Sequence, residues 1–217
     1  MTLYYAPDNA SLCVRLALLE LDLPFETVLV DRSVQGQTSP AYLAVNPNGL
    51  IPTLVTRDGP IYETAAILLW LAGDGFLTGS RALALTWMVW LSNTLHPALR
   101  MWFYPDKYIS PEGLPALQQR TQTRLAELFA HIDTHAPWLD ARAPSALACY
   151  FAPMIRWAAL YGPEQSWFDL CHYPRVRDFA VWAETRPSAL EASRAEGLVQ
   201  TIFSQPASPN PPEGSAL

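Results

Sequence analysis

Cysteine is scarce in this chain of 217 residues, which contains three. Cys13, Cys149 and Cys171 form no C-x-x-C pair, and their odd number and wide spacing argue against a disulfide framework and against a zinc site. Because this usage suits a reducing compartment and no basic, apolar leader opens the sequence, we expect a cytoplasmic protein without a signal peptide.

Positive charge is also in short supply. The 14 Lys and Arg residues are outnumbered by 20 Asp and Glu residues, and the formal net charge is −6 at pH 7. This balance argues against a nucleic-acid partner, which requires an excess of Lys and Arg. The most apolar helical stretch, residues 83–99, is interrupted by Asn93, His96 and Pro97, so no membrane span is expected.

Metal-ligand spacing is nearly absent. His131 and His135 stand four residues apart on a predicted helix with Asp133 between them, but no third ligand has matching spacing. A solvated helix face explains the pair more simply, and we expect no metal cofactor. What the chain has in abundance is apolar residues, which make up 50% of it, so a sizeable core can be buried.

The most informative stretch begins at Asn46 and reads Asn-Pro-Asn-Gly-Leu-Ile-Pro-Thr-Leu. It combines a polar turn with an X-Pro step that leads into a short apolar strand. Proline cannot donate to a β-ladder and therefore belongs at a strand start, where a fixed turn also favours a cis bond. A cis Ile51–Pro52 bond is expected to turn the backbone N–H and C=O of Ile51 toward an extended, peptide-like ligand.

A second motif follows at residue 62 and reads Tyr-Glu-Thr-Ala-Ala-Ile-Leu-Leu-Trp-Leu. Glu63 and Thr64 precede an apolar run with helical spacing, which places them at a helix N-terminus. The amides and the dipole at such an end favour a carboxylate, while the Glu63 side chain favours an ammonium group. A carboxylate and an ammonium on one carbon describe an amino-acid head group, so the stretch predicts a site for a small peptide.

Together these two motifs resemble those of the glutathione transferases, N-P-x-G-x-V-P-x-L and E-S-x-A-I, with Thr64 keeping the hydroxyl and the amide of the usual serine. The resemblance spans residues 1 to about 200. It implies a homodimeric enzyme that uses glutathione as co-substrate and adds the thiolate to a small apolar electrophile. A glutathione-dependent isomerase, lyase or peroxidase on the same scaffold is an alternative, as is a non-catalytic glutathione-binding or scaffolding protein.

The order of predicted elements fits this resemblance. Strand and helix patterns in residues 1–78 follow the βαβαββα order of an α/β thioredoxin-like domain that binds glutathione. An all-helical C-terminal domain is predicted over residues 81–200, with helices near 81–104, 114–135, 145–160, 174–185 and 188–195. Residues 204–217 are rich in proline and serine and lack apolar residues, so a disordered tail is expected there.

The opening of the chain, Leu-Tyr-Tyr-Ala-Pro-Asp-Asn-Ala-Ser-Leu from residue 3, is similar to the L-Y-Y-x-P-G-x-C-S-L of bacterial beta-type members. Their active-site cysteine falls on Ala10, so a mixed disulfide with glutathione cannot form at this position. The next residue, Ser11, is the main candidate for stabilising the glutathione thiolate at the start of a helix. The alternative is that Ser11 only caps this helix.

Two neighbouring side chains are rivals for this role. Tyr5 lies where other classes of the family keep a catalytic tyrosine, although it can equally be an aromatic residue packed in a strand. Cys13 falls in the first helical turn, where a thiol pKa can be depressed, but buried helix cysteines are more often inert.

The resemblance also implies the ligand contacts. Glutathione-binding positions carried over by motif or neighbourhood are Ser11, Gln37, Asn48, Ile51, Pro52, Glu63 and Thr64. The loop around Gln37 holds no cation for the glycine carboxylate, so a modest affinity is expected. A second-substrate pocket is predicted on one face of the first long helix, from His96, Leu99, Arg100 and Phe103. His96 is a candidate proton donor or acceptor there, or it caps the turn freed by Pro97.

Overall fold

The computed structural model describes residues 1–199 and 201–216 of the chain. Its N-terminal region is a mixed four-stranded sheet with the order β2-β1-β3-β4, in which β1 pairs parallel to β2 and antiparallel to β3. The strands are β1 (Thr2–Tyr5), β2 (Glu26–Leu29), β3 (Thr53–Thr56) and β4 (Gly59–Tyr62). The helices of this region are α1 (Ser11–Glu20), α2 (Pro40–Leu43) and α3 (Thr64–Ala72). The predicted βαβαββα order is confirmed.

Side-chain alternation in β1 explains how the sheet is covered. Leu3 and Tyr5 are buried on one face, whereas Tyr4 points to the other face and packs against Tyr42 of α2, with 5.7 Å between ring centroids. Successive strand residues point to opposite faces, so one short strand serves two layers. Tyr5 ends the strand and therefore lies at the edge where loops from both regions meet.

The C-terminal region is helical, as predicted. It consists of α4 (Arg81–Trp90), α5 (His96–Phe103), α6 (Leu114–His135), α7 (Ala146–Leu160), α8 (Pro174–Glu184) and α9 (Pro187–Glu196). A π-helical turn, Leu91–Leu95, joins α4 to α5. Pro97 follows this turn and has no N–H for the carbonyl four residues earlier, which accounts for the wider turn.

Helix α7 is the centre of the molecule. Residues 146–158 are all buried, and the helix packs against α1 of the N-terminal region. The Ser145 side chain caps it by accepting the Ala148 N–H at 3.1 Å. None of the helices in the described part of the chain combines the length and apolar character needed to cross a membrane. The predicted domain limits at residues 78 and 81 stay predictions; the first lies in the gap between α3 and α4, and the second coincides with the start of α4.

The C-terminal segment has defined contacts in the structure, and the disordered tail expected over residues 204–217 stays a prediction. Residues 204–216, which we call the strap, run from the helical region across to the sheet; Leu217 lies outside the described residues. The Asn210 N–H donates to the Gly197 carbonyl at 2.8 Å, and Arg156 donates to the Ala207 carbonyl at 2.9 Å. The strap has few apolar groups, but its carbonyl and carboxylate oxygens find donors elsewhere in the fold, which a count of apolar residues does not register.

Candidate functional site

The end of β4 and the start of α3 form one wall of the candidate site. Glu63 has φ 70° and ψ 113°, a conformation that is rare for a residue with a side chain. Its carboxylate is exposed, while Thr64 is buried at the first position of α3. No side chain of the described residues caps this helix, so its first amides are left for a ligand. The predicted placement of Glu63 and Thr64 at a helix N-terminus is confirmed.

The second wall is the turn that precedes β3, where the Ile51–Pro52 bond is cis, as predicted. Asn46 holds the turn from beneath: its side-chain amide donates to the Leu50 carbonyl at 2.8 Å, and its oxygen accepts the Asn48 N–H at 3.0 Å. Pro52 is buried and Ile51 is partly exposed. Among the described residues no hydrogen bond is found to the backbone of Ile51, which leaves its N–H and C=O available.

Gln37 packs directly on this turn. A Cβ placed on Gly49 would lie 3.0 Å from the Gln37 carbonyl oxygen, and Gly49 itself has φ 60°. The side-chain oxygen of Gln37 is buried and finds no hydrogen-bond partner in the described chain. A buried acceptor without a donor costs about 1–3 kcal/mol, so a ligand N–H at this point would be stabilising.

Ser11 is fully buried and its hydroxyl is used within its own loop. It donates to the Ala6 carbonyl at 3.0 Å and accepts the Ala6 N–H at 3.3 Å. These contacts close the turn between β1 and α1, and Ser11 is the first residue of the helix rather than its N-cap. The thiolate-stabilising role of Ser11 stays a prediction that this placement does not favour.

Tyr5 is buried as well, and its hydroxyl donates to the Glu213 carboxylate of the strap at 2.5 Å. Burial raises the pKa of the Tyr5 phenol, and the contact with Glu213 raises it further. Burial also raises the pKa of the Cys13 thiol well above its usual value, so the inert interpretation of Cys13 fits better than the reactive one.

The predicted second-substrate residues of α5 are not equally accessible. His96 is partly buried with its Nδ1 atom 2.9 Å from the Tyr150 hydroxyl, and burial lowers its pKa to about 4. Arg100 donates to the Tyr108 hydroxyl at 2.6 Å, and Phe103 packs against neighbouring tyrosines. Leu99 has no exposed surface and belongs to the core, so the structure does not present it to a substrate.

A buried ionic network beside the site was missed by the sequence analysis. The Asp8 carboxylate accepts two hydrogen bonds from Arg156 at 2.8 Å, and others from Trp157 and Tyr161. Glu196 of α9 pairs with Arg15 at 2.7 Å and accepts the Asp8 N–H. The available signals were an arginine inside the apolar α7 sequence and an aspartate where the resembling motif has glycine. Asp8 takes φ 50°, a conformation typical of glycine.

The two histidines considered as metal ligands lie on the surface of α6. His131 stacks on Trp90 with ring centroids 5.4 Å apart, and its ring is 4.8 Å from that of His135. Over the described residues no cluster of three potential metal ligands forms.

Comparison with known proteins agrees with this geometry. A model of the glutathione S-transferase N-terminal domain matches residues 10–73. Glutathione S-transferase GST-4.5 of Xanthomonas campestris pv. campestris is 30% identical over 178 residues, which cover 76% of this chain and 86% of the relative. Disulfide-bond oxidoreductase YfcG of Escherichia coli is 28% identical over 205 residues, covering 88% and 93% of the two chains.

Comparison with solved structures also identifies glutathione S-transferases as similar proteins. A sphingomonad glutathione S-transferase in complex with glutathione has a TM-score of 0.74 and 28% sequence identity, and the match covers 92% of this chain and 100% of the other. Since the Xanthomonas relative also matches across most of both chains, the predicted resemblance is confirmed: the chain belongs to the glutathione S-transferase family.

Proposed function

We propose that this protein binds glutathione against the Ile51–Pro52 turn and the α3 N-terminus and adds its thiolate to an apolar electrophile. The observation that carries the proposal is Glu63, an exposed carboxylate at φ 70° directly ahead of an uncapped helix N-terminus. The Glu63 carboxylate accepts a hydrogen bond from the ammonium of the γ-glutamyl group, and the backbone N–H groups that begin with Thr64 donate to its carboxylate. The sphingomonad relative solved with glutathione supports the same ligand.

The rest of the tripeptide follows from the remaining contacts. The free backbone of Ile51 pairs with the cysteinyl residue, as a neighbouring strand would. The unpartnered Gln37 oxygen accepts the N–H of the glycyl residue, and its side-chain amide donates to the terminal carboxylate. Since no charged group meets that carboxylate in this arrangement, the affinity is expected to be modest.

In the reaction, the glutathione sulfur forms a bond to the electrophilic carbon and the leaving group departs with its electron pair. The thiol must lose its proton first, and an ordinary cysteine thiol has a pKa of about 8.5. Ser11 at the start of α1 is the proposed stabiliser of the thiolate, with Tyr5 as the alternative. Burial lowers the pKa of His96 to about 4, which disfavours a cationic His96 donor at pH 7 and also makes its imidazole a weak acceptor for the thiol proton.

The first test is calorimetric titration with glutathione of the wild-type protein and of Glu63→Gln. Losing a charge-assisted hydrogen bond is expected to weaken binding about 10- to 100-fold. Glu127→Gln is the matched control, because Glu127 is an exposed glutamate on α6 that pairs with the exposed Arg124 at 3.3 Å. Equal binding by wild type and Glu63→Gln, or none by either at millimolar glutathione, would refute the proposed site.

Ser11→Ala separates the two roles considered for this residue. If Ser11 stabilises the thiolate, the variant raises the pKa of bound glutathione and lowers kcat. If Ser11 only closes the loop to Ala6, the variant lowers the free energy of unfolding and leaves the thiol pKa unchanged. Thiolate absorbance and urea unfolding distinguish these results.

A second candidate function is glutathione-dependent disulfide reduction, favoured by the Escherichia coli relative named a disulfide-bond oxidoreductase. Two glutathione molecules would then reduce one disulfide to two thiols and leave as glutathione disulfide. Because Ala10 carries no thiol, the first glutathione must attack the substrate disulfide directly. Comparing turnover of a small disulfide with that of an electrophile decides between the two. Glutathione binding with neither activity would favour the non-catalytic alternative.

We also propose that the protein is a homodimer. Large apolar side chains remain 36% or more exposed around the sheet edge and α4, namely Tyr62, Trp70, Leu85 and Val89. Exposed apolar residues that form a contiguous patch mark protein–protein interfaces, and we propose that these residues form one. Light scattering on the wild type and on Trp70→Glu tests the proposal, which predicts a dimer that the substitution weakens.

A further inference from the structure

The strap ends against the N-terminal region, where it contacts Tyr5 and Arg32. The Tyr5 hydroxyl donates to Glu213. Because Tyr4 pairs with Thr53 in the antiparallel ladder, the next residue, Tyr5, lies opposite the cis proline that precedes Thr53. Further along, the Ala216 carbonyl accepts a hydrogen bond from Arg32 at 2.7 Å. At this end of the strap, the Glu213 and Ala216 oxygens therefore accept hydrogen bonds from the N-terminal region.

Two cations, Arg32 and Lys107, contact the side chain of Tyr104. Arg32 donates to the Tyr104 hydroxyl at 3.1 Å, and the Lys107 ammonium lies 4.4 Å from the centroid of the same ring. Neither forms an ion pair with a carboxylate of the described residues, whereas eight other arginines do. Lys107 is the chain's single lysine.

The net charge of the protein bears on which small molecules Arg32 and Lys107 attract. The chain carries a formal charge of −6, so an anionic small molecule is repelled by the molecule as a whole. Arg32 and Lys107 have no carboxylate partner among the described residues, and the Tyr104 hydroxyl beside them accepts a hydrogen bond from Arg32, so this point of the surface is locally positive. Phe103 packs on Tyr104 with ring centroids 6.5 Å apart and supplies an apolar surface next to the charges.

We propose that Arg32, Lys107 and Tyr104 form an anion-binding subsite next to the glutathione site, and that the electrophile is an apolar molecule carrying a carboxylate or a comparable anionic group. The Ala216 carbonyl of the strap occupies the Arg32 side of this subsite until the substrate displaces it. This inference rests on the proposed function and narrows its substrate class.

A matched pair of electrophiles tests the proposal: 4-chloro-3-nitrobenzoate, which is anionic, and the neutral 4-chloro-3-nitrobenzamide. In both, the glutathione sulfur bonds to the ring carbon as chloride leaves with the electron pair. The wild type is expected to prefer the acid in kcat/KM after correction for the intrinsic reactivity of each compound. Arg32→Gln and Lys107→Gln are each expected to reduce this preference about 5-fold, the upper range for a partly exposed ion pair.

The control is Arg57→Gln, because Arg57 is an exposed cation in the β3–β4 turn that pairs only with its neighbour Asp58. It should leave the preference unchanged. Lys107 is exposed, so its variant tests the charge without disturbing the core. A wild-type preference for the amide, or an acid preference that survives both substitutions, would overturn the subsite.

Binding of the acid alone separates this inference from the proposed function. Calorimetry with 4-chloro-3-nitrobenzoate in the absence of glutathione should detect binding that Arg32→Gln and Lys107→Gln weaken. That result without any turnover supports the subsite and counts against the transferase activity. Turnover of the amide with no binding of the acid supports the transferase activity and refutes the subsite.

Discussion

Replacing Asp8 by asparagine should strongly destabilise the protein. Asp8 and Arg156 are both completely buried, and the carboxylate accepts four hydrogen bonds. Asparagine tolerates the positive φ of 50° about as well as aspartate does, so the substitution removes charge and leaves the backbone preference in place. What remains is an arginine buried among the helices with no countercharge.

The magnitude follows from that stranded charge. Breaking a buried ion pair by removing one partner costs about 3–5 kcal/mol, because the remaining ion keeps its desolvation penalty. A typical domain is stable by about 5–15 kcal/mol, so Asp8→Asn should fold but remain marginal. For a chain of this length the melting temperature should fall by roughly 10 °C. Asp8 also anchors the loop that carries Ala10 and Ser11, so glutathione affinity should fall with stability.

Urea unfolding followed by tryptophan fluorescence measures this change. The matched control is Asp140→Asn, because Asp140 pairs with Arg175 at 2.6 Å on the surface and its side chain is 66% exposed. An exposed pair contributes about 0–1 kcal/mol, so the control should hardly shift the transition. A loss below about 1 kcal/mol for Asp8→Asn, equal to that of the control, would refute the argument from buried charge.

Three further predictions concern titratable groups. Glu213→Ala should lower the pKa of Tyr5, since the carboxylate raises it; an unchanged phenol titration by ultraviolet absorbance would mean that the strap does not rest on Tyr5 in solution. The ring of His96 should titrate near pH 4 in an NMR titration, and an inflection at the ordinary histidine pKa of about 6.5 would contradict its burial. Burial raises the pKa of Glu196 to about 7, so the folded state holds a proton there that the unfolded state releases near pH 4.5. The stability that this proton contributes is fully present below pH 4.5 and is lost as the pH rises through about 7, by about 3 kcal/mol at most. Glu196→Gln should abolish this pH dependence of the free energy of unfolding, measured by unfolding curves between these two pH values.

Much of the proposed glutathione-binding site could be predicted from short stretches of sequence. The cis bond before Pro52 and the placement of Glu63 and Thr64 ahead of α3 each depend on a few consecutive residues. The backbone preferences of proline, glycine and helix termini depend on a few neighbouring residues, so a short motif is enough to predict them. Ser11 shows the limit of this reasoning, since a serine at a helix start was expected but its bonding to Ala6 was not.

The contacts that long-range folding creates were not predictable. Asp8 and Arg156 are separated by 148 positions, and Tyr5 and Glu213 by 208. Neither pair has a spacing that a periodic pattern can reveal, because each depends on how α7, α9 and the strap approach the β1–α1 loop. The contacts of the strap could not be predicted for the same reason: its composition offers little apolar area, but its oxygens meet donors that only the assembled fold brings near.

The sequence by itself therefore determined the order of strands and helices, the family, and the backbone geometry around Pro52 and Glu63, because these follow from local propensity and short motifs. The tertiary structure alone decided that Ser11 is occupied, that Leu99 is core, that a buried ionic network holds the β1–α1 loop, and that the strap reaches Arg32 and Tyr5. Those outcomes depend on which polar groups are buried next to one another, because buried polar groups need partners. Burial is set by the folded chain as a whole and not by any one segment of it.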